Sequence, residues 1–157
     1  MTIFGIGLLL VATGGFSLGT VLLLESACGI KWSWTTAYPE ILIPLGTIWA
    51  AIGFFFWVAS IIGVRKAFYE MTLLTDGVYG LTRNPMYAAF ILFLIPAVSL
   101  LMNDVLIVLA SLVLYVVFRI SIKKKEDYLL ELFGDEYRRY AEQVPQLIPR
   151  LRQSHRE

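Results

Sequence analysis

The sequence predicts an all-α integral membrane protein of about four transmembrane helices with a cytoplasmic C-terminal helical segment, and three observations carry that prediction. Of 157 residues, 58% are hydrophobic and 16% charged, against about 45–50% apolar and about 25% charged in an ordinary soluble domain. The apolar residues are blocked rather than scattered: 3–24, 41–64 and 84–103 contain no Asp, Glu, Lys or Arg. Each run is long enough to cross a bilayer, for which about 20 residues suffice. A mean hydropathy of +0.72 excludes a disordered chain, and the length fits one membrane domain over 1–157.

The first span is expected over 3–27, with Gly14, Gly15 and Gly19 as close-packing positions of the kind membrane helices use. It reads as a span rather than a signal peptide, since it has no basic n-region and no clear small-x-small cleavage site. The loop 28–40 follows, and its Trp32, Trp34 and Tyr38 suit the aromatic belt at a membrane surface. A second span takes 41–64 and ends at Arg65-Lys66. Residues 67–85 form a mixed segment with turn signals at Asp76-Gly77 and Asn84-Pro85. Pro85 suits a helix first turn and opens a third span over 85–102. Asn103-Asp104 is the only polar break before 105–122 resumes the apolar run, so the third and fourth spans form a tight antiparallel hairpin. From Lys123 the chain turns polar and continues as a helix to about Phe133. Gly134 marks a stop before a short helix over 137–143, and Pro145 and Pro149 punctuate an irregular end.

Four spans place both termini on one side of the membrane. That side receives all 13 basic residues except Lys31, so the positive-inside rule makes it cytoplasmic. A net charge of +1 gives no polybasic footprint for nucleic acid. With Cys28 as the single cysteine and His155 as the single histidine, multi-cysteine metal sites, histidine metal clusters and Ser/His/Asp or Cys/His catalysis are excluded. No metal site is expected.

Polar side chains concentrate in 69–87 and 119–140, which the topology brings to one face. The string from Gly77 to Tyr87 packs a glycine turn, two tyrosines, Arg83 and an Asn-Pro helix start into eleven residues. A helix start presents free N–H groups that suit a carboxylate or phosphate. In the second segment Arg119, Lys123 and Glu126 are spaced to share one helix face. Leu129, Leu132, Phe133, Tyr137 and Tyr140 form an apolar and aromatic stripe that packs back against the membrane domain or lies in the interface.

The string Gly77-Val-Tyr-Gly-Leu-Thr-Arg-Asn-Pro-Met-Tyr87, a two-span hairpin, then Glu126-Asp-Tyr-Leu-Leu-Glu-Leu-Phe-Gly-Asp-Glu-Tyr-Arg-Arg-Tyr140 with Val144-Pro145, together resemble the integral-membrane isoprenylcysteine carboxyl methyltransferase and phospholipid methyltransferase superfamily. The resemblance covers about residues 71–150. It implies a cytoplasm-facing site for S-adenosylmethionine and a lipophilic acceptor entering from the bilayer. Carried over by position, Met71, Thr72, Leu73 and Leu74 would line the adenosine side and Tyr79 would contact the cofactor. Asn84, Pro85, Met86 and Tyr87 would supply contacts to its polar end, and Glu126 would take its ammonium. Arg119, Glu126 and Tyr87 are the candidate catalytic residues, with Arg119 orienting an anionic acceptor group.

Three positions depart from the family pattern. Its histidine before the proline is Asn84, its first glutamate falls on Lys125, and the arginine that handles the acceptor falls on Ser121. Methyl transfer from a sulfonium rests on positioning and dry electrostatics, so it is compatible with a chain lacking a usable histidine. The acceptor classes rank as a small lipophilic or lipid-linked molecule, then a phospholipid amine, then a protein prenylcysteine. A non-catalytic four-span protein on the same scaffold is the alternative, with a sterol-reductase-like enzyme using NADPH behind it. Membrane lipids are the expected surroundings, nucleic acid is not a partner, and oligomeric state is left open.

Overall fold

A computed structural model describes residues 3–29, 32–35, 40–70 and 72–150. Among these residues the regular elements are all helical: α1 (Ile3–Cys28), α2 (Leu42–Glu70), α3 (Val78–Leu81), α4 (Pro85–Ala88), a π-helical stretch (Ala89–Leu94), α5 (Ile95–Leu101), a 3-10 turn (Val105–Ile107) and α6 (Val108–Gln143). A helix satisfies its backbone hydrogen bonds within itself, as a segment in lipid must. The helix α2 over Leu42–Arg65 and the Val105–Gln143 helix are long and apolar enough to cross a membrane, while Ala12–Cys28 and Pro85–Leu101 are shorter apolar helices. Helix α2 runs on to Glu70, past the expected end near Val64, because nothing between Arg65 and Glu70 breaks a helix.

Elements α4, the π-helical stretch and α5 form one rod, Pro85–Leu101. Helix α2 packs along this rod, while α6 packs against both the rod and α1. Small residues let α2 approach. A Cβ on Gly46 would stand 2.9 Å from Leu101 Cγ, and one on Gly53 would stand 2.8 Å from Phe93 Cβ. Two helical turns further, Ser60 is fully buried on the same face. The expectation for α1 is corrected here. Among the described residues nothing lies within 4 Å of a Cβ on Gly15 or Gly19, and one on Gly14 would make only ordinary contact with Leu114 at 3.7 Å. Helix α1 packs chiefly through its α6 face, and those two glycines lie off it.

Within the rod, Pro96 has no N–H to give to the preceding turn. The Leu92 carbonyl, four residues earlier, accepts instead from the Trp49 indole N–H at 2.8 Å, which ties α2 to the rod where its helix is irregular. The apolar core between rod and α6 gathers Tyr87, Ile91, Ile95, Ile107, Leu114 and Phe118.

The two ends of the bundle differ. At one, the loop after α1 docks on the turn between α5 and α6: Trp34 N–H donates to Asn103 Oδ1 at 2.9 Å, Trp34 Nε1–H donates to Ser99 Oγ at 2.9 Å, and Val105 N–H donates to Trp32 O at 2.8 Å. Asn103 takes the left-handed φ of 52° that closes this turn, and Asp104 caps the 3-10 turn by accepting from Leu106 N–H at 3.0 Å. The hairpin expected between the third and fourth spans is therefore present. At the other end, α6 leaves the apolar bundle and is interrupted at Gly134 (φ 53°, ψ −126°), the residue read from sequence as a helix stop. That break folds Tyr137, Tyr140 and Val144 onto Leu73, Leu129 and Phe133. Leu132, expected in the same stripe, is half exposed.

Candidate functional site

The segment 72–84 crosses this second end. Gly77 turns the chain at φ 58°, a value that favours glycine, and α3 then buries Val78 and Tyr79. Thr82 and Asn84 are buried although polar, so their hydrogen bonds must close locally. They close onto the chain after α6. Pro145 cannot continue a helix, and residues 144–150 run as an irregular, bent strap over 81–84. Arg83 N–H donates to Pro145 O at 2.9 Å and Arg150 N–H donates to Leu81 O at 3.0 Å. The Gln146 carbonyl accepts from Asn84 Nδ2 at 2.9 Å and from Thr82 Oγ1 at 3.3 Å.

This strap brings the two polar segments together. Glu126 Oε1 pairs with Arg83 at 2.7 Å, and Glu126 Oε2 accepts from Gln146 Nε2 at 3.0 Å. Arg119 donates to Gln146 Oε1 at 3.2 Å. Lys125 Nζ donates to Asn84 Oδ1 at 2.8 Å, and Arg83 also donates to the Tyr137 hydroxyl at 3.4 Å. Arg83, Lys125 and Arg119 thus gather around the single carboxylate of Glu126, leaving the cluster with an excess of positive charge.

Burial works against that excess, since it disfavours the charged form of a lysine. It pulls the Lys125 ammonium down to about 8 from 10.5, with Glu126 opposing the shift and Arg83 adding to it. Burial is also the main cause raising the Tyr79 phenol to about 12 and the Tyr137 and Tyr140 phenols above their usual range. These tyrosines stay protonated at neutral pH and act as hydrogen-bond donors. The Arg83 Nε is buried without a hydrogen-bond partner among the described residues.

The candidate residues fall into groups. Asn84, Arg119 and Glu126 meet through Gln146. Lys123, expected on the face of Arg119 and Glu126, is exposed and stays out of the network. Pro85 is buried at the helix start and Met86 is half-buried. Tyr87 is buried, its ring 4.7 Å from Phe118, and its hydroxyl makes no hydrogen bond to another described residue. Tyr79 turns toward α2, where its hydroxyl meets Ser60 Oγ at 3.0 Å, its ring lies over Gly63, and its carbonyl accepts from the Tyr140 hydroxyl at 2.7 Å. Leu74 packs with Tyr79, Leu73 packs with Tyr137 and Tyr140, and Thr72 is exposed. Met71 lies outside the described residues.

Sequence reasoning did not assign Arg83, Lys125, Tyr137 or Gln146 a place in the site. Arg83 stands inside the quoted string, and Lys125 was one of the departures. The departures at Asn84 and Lys125 prove to be hydrogen-bonded to each other. Gln146 gave no signal beyond its place between Pro145 and Pro149, since a lone glutamine in an irregular segment carries no chemistry by itself.

Comparison with known proteins gives the chain's relatives. The model of the phospholipid methyltransferase family matches residues 40–136, more than half of the chain. A protein-S-isoprenylcysteine O-methyltransferase of Schizosaccharomyces pombe is 42% identical over 77 residues, covering 49% of this chain and 33% of that protein. Protein-S-isoprenylcysteine O-methyltransferase A of Arabidopsis thaliana is 30% identical over 118 residues, covering 74% of this chain and 60% of that protein, and the B protein of the same plant is 32% identical over 77 residues, covering 49% of this chain and 39% of its own length. The matched stretch spans a third to three fifths of these relatives. The region matched by the family model holds both the Gly77–Tyr87 string and the Arg119–Glu126 face that meet at one end of an apolar helix bundle, and the chain belongs to the phospholipid methyltransferase family, in the superfamily that includes the isoprenylcysteine carboxyl methyltransferases.

Proposed function

We propose that this chain is an integral-membrane, multi-pass methyltransferase that moves a methyl group from S-adenosylmethionine to a lipophilic or lipid-linked acceptor at the cytoplasmic face. The observation that carries this reading is the convergence of Arg119 and Glu126, opposite charges two helical turns apart on α6, on one partner group at the polar end of an apolar bundle. Four spans, with the loop of Trp34 outside and both termini inside, are consistent with Arg83, Arg119 and Lys123 to Lys125 at this end.

The residues present fit the donor. Glu126 offers a carboxylate for its ammonium, and Arg119 with the buried, unpartnered Arg83 Nε offers donors for an anion. Asn84 and Tyr87 stand at the helix start beside them. When bound, S-adenosylmethionine supplies an electrophilic methyl carbon on a sulfonium, whose bonding pair returns to sulfur as the methyl departs. The chain's part is to hold the two partners in line and to keep water out, for which the core around Tyr87 and Phe118 is suited. An acceptor carboxylate loses its charge on becoming a methyl ester and needs no base. An amine or thiol must release a proton, and Glu126 and Tyr87 are the candidate groups. The names of the relatives support an acceptor ending in an isoprenylated cysteine carboxyl, which moves that class up among those to be tested.

Thermal shift of the detergent-solubilised protein with S-adenosylhomocysteine, and separately with NADPH, tests the reading. Stabilisation by the first alone is expected. A folded protein that responds to NADPH and not to S-adenosylhomocysteine would contradict it.

A further inference from the structure

The group on which Arg119 and Glu126 converge belongs to the chain itself. The Gln146 carboxamide presents its oxygen to Arg119 at 3.2 Å and its nitrogen to Glu126 at 3.0 Å. Only this orientation of the amide serves both charged neighbours, since a guanidinium has no acceptor and a carboxylate no donor. An α-amino carboxylate has the same order of groups. Its oxygen and nitrogen are separated by two carbon atoms where the amide has one, and both ends carry full charge, which strengthens each hydrogen bond. Arg119 has no carboxylate partner among the described residues, and Glu126 Oε2 has no cationic one, its other oxygen being taken by Arg83. Taken together, the pair is a cation and an anion spaced for a zwitterion and bridged by a neutral amide.

We infer that the Gln146 side chain is a self-ligand, which occupies the place between Arg119 and Glu126 where the zwitterionic amino-acid end of the methyl donor binds and vacates it on binding. This rests on the proposed function, and it assigns Arg119 to the donor's own carboxylate rather than to the acceptor. The strap need not move. Its attachment to 81–84 runs through the Gln146, Pro145, Leu81 and Arg83 backbone and the side chains of Asn84 and Thr82, none of which uses the carboxamide. Rotation about the Gln146 side chain is enough to open the subsite.

A self-ligand lowers apparent affinity by the fraction of molecules in which it is in place, so removing it tightens binding. Isothermal titration of the solubilised full chain with S-adenosylhomocysteine and with 5′-methylthioadenosine, which keeps the nucleoside and thioether but lacks the amino-acid end, separates the contributions. Gln146→Ala is expected to bind S-adenosylhomocysteine about threefold to tenfold tighter than wild type and 5′-methylthioadenosine with unchanged affinity. Gln146→Ser, which keeps a small polar residue in the strap, should do the same, and Arg119→Gln should weaken only the amino-acid-bearing ligand. If wild type binds S-adenosylhomocysteine and neither Gln146 variant binds it tighter, or if both ligands shift alike, the inference is overturned while the proposed function stands. If folded wild type and variants bind neither ligand, both readings fall.

Discussion

Raising the pH from 7.5 to 9.5 should stabilise this protein, because Lys125 sheds its proton in that interval in the folded state and keeps it in the unfolded one. Burial holds the folded-state ammonium at about 8, against 10.5 for a free lysine. Below 8 both states are protonated and the burial cost is carried in full. Between 8 and 10.5 the unfolded chain binds the extra proton, so stability rises with pH. Integrated from pH 7.5 to 9.5, these two values give about 2 kcal/mol, equivalent to about 4–8 °C in Tm for a chain of this size. The tyrosines do not mask the effect, since Tyr79 is pushed up to about 12 and begins to oppose it only where unfolded phenols ionise, near pH 10. The perturbation is Lys125→Met, which keeps the length of the stem and removes the charge, with Tm measured in detergent across the interval. Wild type should gain on the variant by the amount stated. Parallel curves for the two proteins would refute the buried ammonium held by Asn84.

Tyr87→Phe removes a hydroxyl that has no partner among the described residues, so the stability read from thermal unfolding should stay within about 0.5 kcal/mol of wild type. Methyl transfer should nonetheless fall roughly 3- to 10-fold in kcat/KM if that hydroxyl serves a ligand; unchanged turnover would remove it from the site. Gly53→Ala places a Cβ 2.8 Å from Phe93 Cβ, an overpacking worth about 1–3 kcal/mol, whereas Gly15→Ala meets nothing and should be neutral or slightly stabilising; equal unfolding midpoints for the two variants would contradict the packing of α2 on the rod. Ser60→Ala strips the buried Tyr79 hydroxyl of its side-chain partner at 3.0 Å and should lower stability by about 1 kcal/mol, measurable by thermal unfolding. No loss there would show that the Ser60 carbonyl, 3.3 Å away, is partner enough.

Much of the architecture is legible in the chain because lipid imposes a simple rule. Charge-free runs and the breaks at Asn103-Asp104, Pro85 and Gly134 locate helices and turns within a few residues. Which helix faces meet is harder to read. Glycines in α1 and α2 look alike in sequence, and only the packing of α2 on the rod distinguishes Gly53, which admits no Cβ, from Gly15, which faces open space. The site divides the same way. Arg119 and Glu126 could be placed together because helical periodicity alone sets their spacing. Lys125, one residue before Glu126, points to Asn84 across 41 residues of sequence, and no local pattern encodes that pairing. Gln146 joins the network through a strap whose course is fixed by backbone hydrogen bonds to 81–84, and these leave no mark on residue type.

Transfer of labelled methyl from S-adenosylmethionine into an organic-extractable acceptor, by wild type and by Glu126→Ala in parallel, tests the proposed chemistry most directly. With a prenylated cysteine analogue and with membrane lipid extract as acceptors, wild type should label at least one of them, and the variant should lose most of that activity while remaining folded. Equal labelling by both proteins, or none by folded wild type with either acceptor, would contradict a methyl-transfer site built around Glu126.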